Sequence, residues 1–589
     1  MTVFYTLMLL IGLLYFIFKV RWDLHMFQHN SYRPERYLHW MSQTNQPIIS
    51  KSDWLFILGA TISLLPSLTG NLWITAIGFI LGLPFMALSV MMFHVKITWQ
   101  PAKKKLAWTP RVKRMLITTF VWLNLLYAFA FVSRGVWFIW IAILFSIVYS
   151  WAFVLCGNLT NSPIEGLINH RYYADAQDRL KMNPNLLVIG ITGSYGKTSV
   201  KNVLFQLLSQ KYNVLMTPES YNTPMGVIRT IRESLNPTHE IFIVEMGAKE
   251  IGDIAEICNL VHPSMGIITS IGPQHLDTFK TLENVIRTKG ELFDNVQAGG
   301  TIFVNLNDEN IRSLTLRTDV KTILFGSAEH KNTNYAVSDV NISDDGTAFT
   351  LLSRFSDTSR FSDTSRTSDT SRSSDMNNVS DIENTSSKGK GKGQQKNKNK
   401  AQAAAKPIDY TRTELKTKLL GTHNIDNILG SIAIAMELGL SATQINRALF
   451  DLYPVKHRLS YSKSGAGYTI LDDAFNSNPT GSKNALEVLK QFKGNRKIIL
   501  TPGMIELGDQ QFELNEKFGE YMASACDYVI LVGKKQTAPI QQGLKNKHFP
   551  DEKCLVVQNL TEGFKAINAY AKPGDVLLIE NDLPDSFNE

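Results

Sequence analysis

Nearly all the long apolar runs of this 589-residue chain lie before residue 160, and that asymmetry limits its fold more than any other feature. Runs near membrane-spanning length occur at 3–20, 54–70, 72–94, 115–132 and 136–156. They predict five transmembrane helices. The first run lacks a basic leading segment and a small-residue cleavage site, which separates it from a secretory signal. Lys and Arg concentrate in two connecting loops: Lys19, Arg21, Arg33, Arg36 and Lys51 in the first, and Lys96, Lys103, Lys104, Lys105, Arg111, Lys113 and Arg114 in the second. The loops between them carry only Arg134. Basic loops stay on the cytoplasmic side, so five spans predict an outside N-terminus and a cytoplasmic chain after residue 157.

The formal charge of +8 could suggest a nucleic-acid partner, but the excess lies in these loops and in the tract KGKGKGQQKNKNK. Neither is an interleaved basic and aromatic surface, so no nucleic acid is expected. Cys156, Cys258, Cys526 and Cys554 are scattered, with no zinc-ligand spacing and no disulfide framework.

After residue 184 the pattern changes to short β-branched runs (LLVIGIT, EIFIVEMG, SMGIITSI, GTIFVNLN) alternating with amphipathic helices, the first at Thr198–Gln210. From about 420 a second block carries YTILDDA, KIILTPG, YVILVG and DVLLIE. Strands alternating with helices predict mostly parallel α/β sheets. The expected division is a membrane region at 1–160, a central domain at 161–420 and a C-terminal domain at 421–589. Between about 354 and 407, RFSDTS-type repeats pass into a Gly, Lys and Gln tract with little to bury, which predicts a disordered insert in a surface loop.

The segment GITGSYGKTS at 190–199 follows a strand and opens a helix. Its glycines, Gly193 and Gly196, with Ser194, let the backbone wrap a phosphate. Lys197 supplies charge to the β and γ phosphates, and Thr198 or Ser199 can reach Mg²⁺. The strict phosphate-loop spacing is not met, because Ile191 stands where that pattern has glycine.

The form GxTGSxGKTS resembles the phosphate loop of the Mur ligases, and further motifs extend the resemblance over roughly 184–580 outside the insert. VEMGAKEIGDIAEI at 244–257 is similar to the family's acidic magnesium motif, with Glu245 as ligand. SIGPQHLDTF at 270–279 would supply a metal-binding His275, and VIRTKGELF at 285–293 a carbamylated Lys289. LLGTHNIDNILGSIAIA at 419–435 resembles the interdomain linker, whose Asn424 would approach adenine, and KHRLS at 456–460 offers Arg458 to the nucleotide. LDDAFNSNPTGS at 471–482 and TPGMIELG at 501–508 are nearest the D-alanyl-D-alanine-adding branch, placing Asp473 at the nucleotide and Asn476 and Asn478 at the incoming amine.

The resemblance implies a central P-loop domain, a Rossmann-like C-terminal domain, ATP and Mg²⁺ as cofactors, and amide formation through an acyl phosphate. In that scheme Lys197, His275 and Lys289 are catalytic, and the metals lie on Thr198, Glu245, His275 and Lys289. The partners implied are a UDP-linked or lipid-linked cell-wall precursor and an amino acid or dipeptide, beside a lipid bilayer. Two departures stand out: the membrane segments replace the domain that grips the UDP end in soluble members, and LIENDLPDSF stands where that branch has a KGSR-like motif. A membrane ligase for another polymer, such as poly-γ-glutamate, and an ATPase-coupled membrane protein are the competing expectations. Oligomeric state is left open.

Overall fold

The computed structural model describes residues 2–43, 49–69, 71–99, 105–132, 136–219, 221–343, 346–354, 410–419, 421–452, 457–475 and 477–581. The repeat insert, from residue 355 on, and Asn476 lie outside the described residues.

Seven helices come first: α1 (Thr2–His29), α2 (Pro34–Gln43), α3 (Lys51–Leu64), α4 (Leu72–Trp99), α5 (Pro110–Val132), α6 (Val136–Val148) and α7 (Ser150–Lys181). Every apolar run is helical, yet the five expected spans do not all appear as such. Among the described residues two helices are long and apolar enough to cross a membrane, Leu72–Thr98 and Pro110–Val132. The run at 54–70 gives a 14-residue helix, about 21 Å long, short of a roughly 30 Å hydrocarbon core. It then tightens into a 3₁₀ turn, Leu65–Thr69, at Pro66. The run at 136–156 is broken by a 78° bend between Trp140–Val148 and Ser150–Lys181, a pair that makes a third span if counted as one.

Two buried carboxylates tie this bundle together. Asp53 accepts from Lys19 Nζ at 2.9 Å on each oxygen and from the Tyr15 hydroxyl at 2.8 Å, joining α3 to α1. Asp23 accepts from Tyr37 at 3.1 Å and Ser150 at 2.6 Å, joining α1 to α2 and α7.

Helix α7 runs unbroken through residue 160, so no change of chain direction marks the expected domain boundary there. Its C-terminal half packs on the central domain, with Ala176 buried among the core residues and Arg232 bonded to Asp175 at 2.5 Å.

The central sheet contains β1 (Leu187–Thr192), β2 (Val214–Met216), β3 (Ile241–Glu245), β4 (Met265–Ile268), β5 (Thr301–Asn305), β6 (Lys321–Ser327), β7 (Tyr335–Ser343), β8 (Gly346–Ser353) and β9 (Thr411–Thr417). Their order is β2-β3-β1-β4-β5-β6-β7-β8-β9, parallel as far as β7 and antiparallel beyond. Its helices are α8 (Lys197–Leu208), α9 (Pro224–Ser234), α10 (Asp253–Val261), α11 (Leu276–Phe279), α12 (Leu282–Asn295), α13 (Glu309–Arg312), α14 (Thr422–Glu437) and α15 (Ala442–Phe450). The last two lie beyond the boundary expected at 420, and their Ile425, Ile432 and Ile445, with Leu452, pack in the same apolar core as β1 and α8. They return to this sheet because each presents an apolar stripe that only its face can cover.

The second sheet, ordered β10-β11-β15-β12-β13-β14, holds β10 (Ser460–Lys463), β11 (Thr469–Asp473), β12 (Lys497–Thr501), β13 (Tyr528–Val532), β14 (Cys554–Val557) and β15 (Val576–Glu580). Only β10 is antiparallel. Helices α16 (Pro479–Gln491), α17 (Gln511–Ala525), α18 (Ala538–Asn546) and α19 (Leu560–Tyr570) cover it. In both sheets ligand-binding positions are expected where strand order reverses, outside the C-terminal strand ends.

Stripping the buried Lys19 of its partner is expected to be costly, because an uncompensated buried charge is worth ~3–5 kcal/mol. Asp53→Ala should therefore lower the Tm of the detergent-solubilised chain, and the double variant Lys19→Met/Asp53→Leu should recover most of the loss.

Candidate active site

The loop between β1 and α8 lies at the reversal point of the central sheet, since β1 is flanked by β3 on one side and β4 on the other. Two glycines there take conformations that favour glycine. Gly193 has φ +147°, and a Cβ on it would stand 2.1 Å from Thr269 Oγ1; Gly196 has φ +79°, and a Cβ would stand 2.4 Å from Asn427 Oδ1. The backbone thus passes close to its neighbours and leaves the N-terminus of α8 open to an anion. Lys197 curls back over the loop, its Nζ donating to Gly193 O at 2.6 Å and Ser194 O at 3.2 Å. Burial pulls this amine down to about 8, against the attraction of Glu245 and with the help of Arg458.

At the end of β3, Glu245 is 1% exposed. Burial opposes its charge, but Lys201 at 2.9 Å and nearby Lys197 hold the carboxyl below its ordinary value. Thr198 Oγ1 lies 3.3 and 3.1 Å from its two oxygens, and Asn222 Nδ2 donates at 3.1 Å. The predicted Thr198–Glu245 pair is therefore assembled. Lys201 was not singled out from the sequence, although it lies one helical turn beyond Lys197.

His275 has φ +52° at the start of α11. Its Nδ1 is hydrogen-bonded to Glu506 of the C-terminal domain, and Leu276 N donates to Glu506 O at 3.0 Å. Burial pushes the imidazole below its ordinary value, while its bond to the ring and to Lys249 holds Glu506 down at about 2 despite burial. A neutral ring donating from Nδ1 keeps Nε2 as its free lone pair, the usual arrangement behind a metal-ligating histidine. Glu506 escaped residue-level notice, although it sits in the TPGMIELG segment.

Lys289, on α12, is 2% exposed and makes no carboxylate ion pair among the described residues. Burial and then the charge of Lys197 push its amine well below the ordinary lysine value, which favours the unprotonated form. Lys289 lies close enough to Lys197, and His275 close enough to Lys289, to feel the neighbouring charge.

A cavity of about 500 Å³ opens between the two domains. Gly196 and Ser199 line it from the phosphate loop, Asn424 and Asp426 from α14, and Arg458 and Asp473 from the C-terminal domain. The Arg458 guanidinium lies over the Phe475 ring at 4.6 Å. Asp473 accepts from Leu459 N at 3.0 Å and is raised to about 6 by burial, which outweighs Arg458. Asn478 also reaches the cavity, but its side chain caps α16, accepting from Gly481 N at 2.7 Å. Glu580 lines the same cavity from the end of β15.

The residues suit a magnesium nucleotide. Among the described residues no three His, Cys, Asp or Glu gather into a metal cluster. An ion here would therefore draw most of its oxygens from phosphate and water, as Mg²⁺ commonly does, with the ionised Glu245 and the Thr198 hydroxyl supplying the protein's share.

Comparison with known proteins agrees with this geometry. The Mur ligase middle domain matches residues 191–435, and the Mur ligase glutamate ligase domain matches residues 457–580. The UDP-N-acetylmuramoyl-tripeptide–D-alanyl-D-alanine ligase of Bacillus subtilis is 25% identical over 395 residues, 67% of this chain and 72% of its own. That of Escherichia coli is 25% identical over 372 residues, 63% and 70% respectively. In fold, the chain is similar to MurF from Acinetobacter baumannii (TM-score 0.55, 21% identity, covering 71% of this chain and 78% of that one). It is equally similar to MurF from Thermotoga maritima in complex with ADP (TM-score 0.55, 22% identity, 70% and 80%). With both domains matched in order and a nucleotide-sized cavity between them, residues 191–435 and 457–580 are the middle and C-terminal domains of a Mur ligase.

Proposed function

We propose that this protein is an ATP-dependent, ADP-forming carboxylate–amine ligase of cell-wall synthesis that joins D-alanyl-D-alanine or a related amine to a muramoyl-peptide acceptor. The observation that carries the reading is that phosphate-loop residues and Arg458 and Asp473 of the other domain face one cavity, with a buried lysine, Lys289, within reach of the charge of Lys197 and a histidine, His275, oriented by a carboxylate. The names of the relatives from Bacillus subtilis and Escherichia coli support the choice of substrates. The two long apolar helices support a multi-pass membrane protein, and with the bent pair α6 and α7 counted as a third span the catalytic domains fall on the same side as the basic connection between α4 and α5, the cytoplasmic side where ATP is available.

A carboxylate is a poor electrophile until an oxygen is made a leaving group. Lys197 and the amides opening α8 stabilise charge on the γ-phosphoryl group as it passes from ATP to the acceptor carboxylate, giving ADP and an acyl phosphate. The amine then attacks the acyl carbon, phosphate departs, and the amine gives up its proton. Glu245 and Thr198 would hold Mg²⁺, with His275 and a carbamylated Lys289 at a second position. When bound, the ions neutralise phosphate charge. Arg458, Asp473 and Asn424 position the nucleotide, and Asn476 and Asn478 are assigned by the resemblance to the incoming amine. Because Glu506 reaches His275 from the other domain, domain closure both completes the site and shields the acyl phosphate from water.

The direct test is phosphate release by the full chain with Mg-ATP, UDP- or lipid-linked muramoyl tripeptide, and D-alanyl-D-alanine. Release is expected to require both acceptor and amine, and Lys197→Ala should lower kcat by about 1000-fold. Brisk ATP hydrolysis indifferent to any amine would instead favour the ATPase-coupled membrane protein.

An unprotonated amine is the form that reacts with CO₂, so activity should fall when CO₂ and bicarbonate are removed and return on their addition. Lys289→Ala should remove that dependence along with most of the activity, and a bicarbonate-indifferent parent enzyme would rule carbamylation out.

Lys197 is cationic below about 8 and neutral above it. Bound phosphate stabilises the cation, so ADP affinity is expected to hold at pH 7 and weaken as pH rises past 8, by up to about 10-fold per unit. A Kd series from pH 7 to 9 by calorimetry measures this, with Lys197→Ala showing a flat profile.

A further inference from the structure

The corner where the helical region meets the central domain carries more guanidinium than its carboxylates satisfy. Arg33 and Arg36 both bond Oε1 of Glu250, Arg36 Nη2 at 3.1 Å, so two positive charges share one carboxylate oxygen. Arg111, in the first turn of α5, lies over the ring of Tyr32 at 4.1 Å, immediately beside Arg33 in sequence. The Nε–H groups of Arg36 and Arg111 are both buried without a hydrogen-bond partner among the described residues. A buried donor left unmet costs ~1–3 kcal/mol, and two such donors on one corner mark a place built for an acceptor. Guanidinium forks match phosphate oxygens in pairs.

The position of this corner decides what that acceptor is. Glu250 leaves β3 five residues after Glu245. Its neighbour Lys249 lies 3.4 Å from Glu506, which bonds His275. On the other side of the same loop, Glu291, two residues from Lys289 on α12, accepts from Gly252 N at 2.7 Å and Ala255 N at 3.0 Å. The loop therefore joins the arginine corner to both residues proposed for the acceptor side. Arg111 also opens one of the two helices long enough to cross a membrane, which sets the corner at the level of a bilayer surface. Neither matched family domain extends before residue 191, so this surface is supplied by the part of the chain outside them.

We propose that Arg33, Arg36 and Arg111 bind the diphosphate of a lipid-linked acceptor, holding its peptide toward His275 and Lys289 while its lipid stays in the membrane. The acceptor's identity as a substrate rests on the ligase reading above; the diphosphate site does not. A soluble nucleotide-linked acceptor carries the same diphosphate, so the test separates the two.

The full chain, in nanodiscs, is titrated with a polyprenyl diphosphate, with the corresponding polyprenol, and with UDP-N-acetylmuramoyl peptide. Binding of the diphosphate at least about 10-fold tighter than the alcohol is expected. Arg36→Ala and Arg111→Ala should each weaken it by about 10-fold, with Lys at either position restoring part of the loss. Circular dichroism matched to the parent shows that the variants fold, and the diphosphate-to-alcohol comparison on the parent needs no variant. Equal binding of diphosphate and alcohol, or arginine variants without effect, would overturn the site. UDP-linked peptide binding as tightly, and through the same arginines, would overturn the lipid assignment. Absence of amine-dependent phosphate release with every acceptor would count against the ligase reading alone.

Discussion

Glu245 is a carboxylate in a place where burial works against its charge, and much of the catalytic arrangement depends on how that charge is kept. Lys201 answers it at 2.9 Å from one turn inside α8, while Thr198 and Asn222 take its remaining directions. Removing one member of such a pair would leave a bare buried charge, worth ~3–5 kcal/mol. The pair therefore fixes α8 against the end of β3, and with it the phosphate loop that opens α8. Lys197, released from that duty, is free to lie across the loop.

From this point charge organises the rest of the site by distance. Burial and then repulsion from Lys197 disfavour a charge on Lys289. His275 is oriented by a carboxylate from the other domain. The same loop that follows Glu245 carries Lys249 toward the C-terminal domain and Glu250 toward the helical region. Three parts of the chain thus converge on one short segment, and α7, a single helix running from the bundle onto the central domain, keeps them in register.

The motifs on strand ends were readable because close phosphate contact demands particular residues: glycines where a side chain would collide, a lysine at the head of a helix, an acid at the end of a buried strand. Lys197 bonds the carbonyl of Gly193, and Thr198 bonds Glu245, around the loop that Gly196 closes. Asn478 shows the limit of that reading, for its side chain is committed to capping α16 while also reaching the cavity. Lys201 and Glu506 lie within or beside segments that the motifs marked, but their importance comes from partners far along the chain, Glu245 and His275.

The sequence by itself determined the two α/β blocks, the eight of their strands that its apolar runs mark, the phosphate loop and the apolar character of the first third, since all of these are local in periodicity or composition. It did not determine how many apolar runs cross a membrane. The break at Pro66 and the 78° bend after Val148 interrupt runs that hydropathy alone reads as continuous. Nor did it settle where the central domain ends, because α14 and α15 could cover either sheet until the fold brought them back to the first. Only the tertiary structure decided which charges meet, as with Lys19 and Asp53, His275 and Glu506, and Arg36 and Glu250. Those pairs are separated by tens to hundreds of residues, and the field that each side chain feels exists only once the chain is packed.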